Sequence, residues 1–134
     1  MVIELQRATR SRGARGFTLL ELLVVLAIIA MLVTLALPRY IHSVEHSKEV
    51  VLKEDLSVMR DAIDKFNSDR GRYPLTLDEL VDLGYLRKLP PDPETDSAAS
   101  WVVSPPPDGV AKGIYDIHSG AEGKTLDGIE FNLL

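Results

Sequence analysis

One apolar stretch limits what this chain can become: between Phe17 and Leu37 the only ionisable side chain is Glu21. As a helix rising 1.5 Å per residue, such a segment reaches roughly 30 Å, the thickness of a bilayer's hydrocarbon core. Arg7, Arg10, Arg12 and Arg15 precede it with only Glu4 opposing them, whereas Arg39, Lys48 and Lys53 beyond it are interleaved with Glu45, Glu49 and Glu54. This bias predicts a single-pass segment whose N-terminus stays in the cytoplasm, with everything after Tyr40 carried across.

Glu21 is the anomaly in that segment. An ionised carboxylate in hydrocarbon costs on the order of 3 kcal/mol, so it requires a partner or a proton. A cut after Gly16 would create an α-amino group on Phe17, four residues from Glu21. The same amine on a neighbouring copy could pair with Glu21, turning a buried liability into a rule for subunit register.

The run Gly16-Phe17-Thr18-Leu19-Leu20-Glu21-Leu22-Leu23 resembles the processing and methylation signature of type IV pilin-like proteins. The resemblance implies that residues 1–16 are a leader removed by a prepilin peptidase and that Phe17 becomes N-methylated. It also implies that Glu21 meets an adjacent subunit's N-terminus and that Pro38 disturbs the helix. Residues 17–37 would then be the transmembrane and assembly helix, and 38–134 a periplasmic domain. A plain signal anchor would share the arginines and the apolar helix but not the Gly-Phe junction or Glu21. A secretory signal peptide fits less well, because the apolar run exceeds the usual core of about 7 to 15 residues and Pro38 follows closely.

With 134 residues, the chain has room for one modest domain beside the membrane helix. Without residues 1–16 it keeps 11 basic and 19 acidic residues, a balance that points to cations or basic surfaces and away from nucleic acid. There are no cysteines, although an oxidising periplasm would permit a disulfide. Many pilins of type IV pili carry a C-terminal cysteine pair, so its absence shifts the resemblance toward pseudopilins.

Past Pro38 the periodicity predicts an amphipathic helix to about residue 68. Leu52, Leu56, Met59, Ile63 and Phe66 form one stripe, while Lys53, Glu54, Asp55, Arg60, Asp61, Asp64 and Lys65 face elsewhere. Pro38 lacks an amide donor and crowds the preceding turn, so a kink or local melting is expected there. Gly71 stops the helix. Thr76 caps a short second helix that carries Asp78 and Glu79 in its first turn and ends at Gly84. Trp101–Val103 and Gly113–His118 read as short strands flanking the Pro105–Gly109 bend, with Ile129–Phe131 a weaker third. The expected class is α+β, a long N-terminal helix packed on a small C-terminal antiparallel sheet, with Trp101 and Tyr115 in the core.

This second half resembles the major pseudopilins of type II secretion systems. The order of Tyr73-Pro74, Gly84-Tyr85-Leu86-Arg87-Lys88-Leu89-Pro90, Asp92-Pro93, Tyr115-Asp116-Ile117-His118-Ser119-Gly120 and Asp127-Gly128 follows that family. The chain departs in a short stretch between Pro74 and Gly84, and in ending Phe131-Asn132-Leu133-Leu134 where the family often places a Trp.

Asp116, Ser119, Glu122 and Asp127 lie in a Gly-rich stretch that suits hard-oxygen coordination of calcium, though not with EF-hand spacing. The resemblance implies a structural calcium here, with Asp127 and Glu122 as side-chain ligands and Ser119 contributing nearby. The family usually has Asp at the position of Glu122. Residues 70–134 are few for an independent core without a disulfide, and a cation could act as the staple. The competing reading is a solvated acidic turn. His42-Ser43-Val44-Glu45-His46 matches the H-x-x-E-H zinc pattern, but catalytic zinc needs a third protein ligand and a cleft. Arg39 and Tyr40 suit the membrane interface or a helix contact in a polymer.

The sequence therefore points to a structural subunit, not an enzyme. It would be inserted in the inner membrane, trimmed by prepilin peptidase, and drawn with other pseudopilins through an inner-membrane assembly platform into a helical periplasmic filament driving protein export. The alternatives are a major or minor pilin of a type IV pilus and, more remotely, a membrane-anchored metallohydrolase using His42 and His46.

Overall fold

A computed structural model describes residue 13 and residues 15–134. Arg7, Arg10 and Arg12, and with them most of the expected leader, lie outside the described residues. The chain divides into two compact units, Met1–Arg39 and Tyr40–Leu134. Helix α1, Leu19–Arg70, contributes to both.

Thr18 starts α1. Its hydroxyl accepts a hydrogen bond from Glu21 N–H at 3.1 Å, satisfying one of the amides that a helix start leaves without a partner. In the first unit no residue of the apolar window is buried, and this is a helix long and apolar enough to cross a membrane. The helix is unbroken at Pro38, so the expected local melting does not occur. Proline removes a single i→i−4 bond, and the uninterrupted helix formers on either side keep the turns around it closed.

The second unit is built on the predicted stripe. Leu52, Leu56, Met59, Ile63 and Phe66 are all fully buried or nearly so. They share one core with Leu80, Leu86, Trp101, Ile114, Ile117 and Phe131. Gly71, at φ +67°, ends α1, its N–H donating to the Asn67 carbonyl. Helix α2, Leu77–Asp82, starts at the Thr76 cap as expected, and Leu80 enters the core.

Strands β1, Val102–Ser104, and β2, Asp116–His118, pair antiparallel with Val103 opposite Ile117. β1 is displaced by one residue from the expected Trp101–Val103, and β2 is shorter than the expected Gly113–His118. Pro105, Pro106 and Pro107 follow β1 directly and offer no ladder donors. Ahead of β2, Gly113 lies so close to Pro74 that a Cβ would sit 2.8 Å from the Pro74 carbonyl oxygen. Ile114 N–H donates to that same oxygen, drawing the segment away from β1.

Two expectations need correction. Ile129–Phe131 is not a third strand of the sheet. Lys124 and Glu130 form an isolated bridge closed by a turn from Thr125 to Gly128, and Phe131–Leu133 is a 3-10 turn that sends the Phe131 ring into the core. Tyr115 is not a core residue either. Ile114 and Ile117 are buried, whereas Tyr115, just ahead of β2, is 45% exposed, its ring edge-on to Tyr73.

Candidate functional site

The first unit presents the Gly16-Phe17 junction in the open. Gly16 has no neighbouring atom within reach of an added Cβ, and Phe17 is 85% exposed. Arg15, Gly16, Phe17 and Glu21 line one shallow groove. Glu21 is in the first turn of α1, not deep in it, so the positive end of the helix dipole faces its carboxylate. Among the described residues Glu21 makes no ion pair, the pairs being Arg60–Asp116, Arg72–Glu79 and Asp116–His118. The carboxylate thus stands at a capped helix start, on a mostly apolar and uncovered segment.

Thr18 was not anticipated as a cap, although Thr-x-x-Glu ahead of an apolar run is the sequence sign of one.

In the second unit the stretch expected to hold calcium is organised by other bonds. The Ser119 hydroxyl, fully buried, donates to Asp92 Oδ2, and Asp92 Oδ1 accepts from Glu94 N–H. Asp116 Oδ1 accepts from Arg60 Nε at 2.8 Å. Glu122 and Asp127 are exposed, and Glu122 lines two surface grooves that Asp127 does not. Among the described residues no three His, Asp or Glu side chains gather closely enough to hold a metal ion. This donor set does not fit a carboxylate-built calcium shell. The same holds for His42 and His46, both exposed on α1, for which no third ligand assembles.

Arg60 lies off the apolar stripe, as expected, and acts as a clasp. Besides Asp116, its guanidinium donates to the Ile117 and Leu134 carbonyl oxygens, at 2.9 and 2.7 Å. His118 adds Nε2 3.5 Å from Asp116 Oδ2 and Nδ1 3.2 Å from the Leu134 carbonyl. Burial pushes the Asp116 carboxyl up, but the Ile117 N–H, the Arg60 bond and the Arg60 and His118 charges outweigh it, so its pKa lies below its ordinary value. Arg60 follows Met59 on the helix, and that position at the edge of the apolar stripe was the available clue.

Glu49 was also missed. It lies three residues before Leu52, on the stripe itself, and is only 6% exposed. Its Oε1 accepts a hydrogen bond from Leu126 N–H. Glu45, Glu94 and Glu122 line the same groove together with Lys124. Burial raises the Glu94 pKa, Lys48 opposes the shift, and the charges of Asp92, Glu49 and Glu45 add to it.

Residues 11–37 match the prokaryotic N-terminal methylation motif. The chain is 32% identical over 130 residues to type II secretion system core protein G of Pseudomonas aeruginosa, covering 84% of this chain and 87% of that protein. It is 33% identical over 100 residues to core protein G of Aeromonas hydrophila, covering 63% and 70%. The Klebsiella pneumoniae protein of the same name is 35% identical over 95 residues, covering 59% and 68%. No solved structure matches the chain significantly. With the open Gly16-Phe17 junction, the capped acidic helix start and the α+β unit behind it, these relations establish that the chain belongs to the type II secretion system core protein G family, the type IV pilin-like major pseudopilins.

Proposed function

We propose that this protein is a structural subunit of a type II secretion pseudopilus, released from the inner membrane into a periplasmic filament after a prepilin peptidase cuts between Gly16 and Phe17. One observation carries the reading: the cut site, the cap and the lone carboxylate fall within six residues, at the start of a helix that buries nothing in its first unit. In lipid that surface is already solvated by hydrocarbon, so helix association rests on packing and polar pairing. Glu21 against the new amine of the next copy supplies the polar pair, and apolar side chains from Leu22 to Leu37 supply the packing. Other pseudopilins and an inner-membrane assembly platform would be the partners. A structural role accords with relatives that are type II secretion system core proteins G.

Mass spectrometry of the membrane-extracted protein tests this. The expected mature chain begins at Phe17 and carries one added methyl. An intact leader, or a cut near Ala36, would overturn the reading.

A further inference from the structure

A buried side chain of α1 reaches the loop that the sequence offered to a cation. The loop from Ser119 to Phe131 closes on itself: Thr125 N–H donates to the Ile129 carbonyl, Gly128 N–H to the Thr125 carbonyl, Ile129 N–H to the Thr125 hydroxyl, and Phe131 N–H to the Gly123 carbonyl. These bonds close the turn but do not attach it to α1. The attachment at the turn itself is Leu126 N–H, which donates to the Glu49 carboxylate. At its base the loop is tied by Ser119 to Asp92. Of the four residues spacing offered to calcium, Asp116 and Ser119 are engaged by protein groups, and Glu122 and Asp127 point to solvent from different surroundings.

A carboxylate withdrawn from water is costly unless its oxygens are satisfied, and a backbone N–H held against it forms a charge-assisted bond stronger than a neutral one. Lys124, on the same loop, lines the Glu49 groove beside Glu45, Glu94 and Glu122, and Lys48 lies near Glu94. Lys124 thus places one positive charge among the four carboxylates that line the groove. We infer that Glu49 locks the 119–131 loop onto α1 without a divalent cation, so that the second unit folds independently of calcium. This stands apart from the filament reading, since it concerns how the subunit holds its own loop.

The test uses the full chain in detergent, followed by thermal unfolding and by hydrogen exchange at Leu126. Wild-type melting is expected to be unmoved by added calcium chloride or by chelator. Glu49→Ala is expected to speed exchange at Leu126 about tenfold or more, the scale of losing one hydrogen bond to a charged group, while the Leu52–Phe66 amides stay protected. Melting that rises with calcium and falls with chelator overturns the inference with no variant needed. Unchanged Leu126 protection in Glu49→Ala overturns it as well. If Glu49→Ala does not fold, Glu49→Gln, which keeps the acceptor oxygen and drops the charge, carries the exchange arm with intermediate protection expected and full wild-type protection overturning the lock.

Discussion

The two stretches of α1 obey opposite rules although they share one backbone helix. From Leu19 to Leu37 large apolar side chains are uncovered on every side; from Glu49 to Phe66 the stripe of Leu52, Leu56, Met59, Ile63 and Phe66 is buried, and only Val50, Val51 and Val58 among the large apolar side chains are left exposed. The second stretch gains its stability within its own chain, by removing apolar area from water at about 25 cal/mol per Å². The first has no such cover among the described residues of its unit, and in the proposed filament lipid or another subunit would supply it. Substitutions in the two stretches should accordingly fail in different assays.

The largest expected effect is on assembly. Glu21→Ala should abolish or severely reduce filament formation while the protein is still made, inserted and processed, as read by shearing or by cross-linking of neighbouring copies. Filaments as abundant as wild type would break the comparison at its N-terminal end. Next comes Phe66→Ala, expected to cost about 3 to 5 kcal/mol of folding stability by emptying a fully buried site. Val25→Ala should leave thermal unfolding of the second unit unchanged, and equal losses from both would contradict the division.

The smallest effect is a pH dependence. Because the Asp116 pKa is lowered by folding, its contribution is present above its unfolded value and is lost as pH falls through the folded one. Asp55 and Glu94, raised by burial and neighbouring carboxylates, act with the opposite sign, favouring the folded state as they take up protons. Asp116→Asn should therefore cost about 1 kcal/mol or less near neutrality, given its partial exposure, and flatten the acid-side loss in a melting-temperature series. An acid profile unchanged by the substitution would remove the Arg60 clasp from the account.

The apolar stripe, both glycine stops and the Thr76 cap were legible because each depends on local spacing or on a backbone conformation few residues accept. The sheet was legible in place but not in extent, since Pro74, more than thirty residues earlier, captures the Ile114 amide. Glu49, Arg60 and Asp92 were hidden for a shared reason. Charged residues are ordinarily assigned to water, and only tertiary contacts with Leu126, Asp116 and Ser119 reveal their buried roles. Even so, Glu49 occupied a stripe position, and a carboxylate there is itself a hint of a partner.

The Thr18 hydroxyl has a consequence for maturation. Since it caps the first turn from beyond the proposed cut, severing the chain at Gly16 would leave that cap in place. Under the proposed processing, leader removal would change the charge and chemistry of the tip while keeping the cap that starts the coil beneath it.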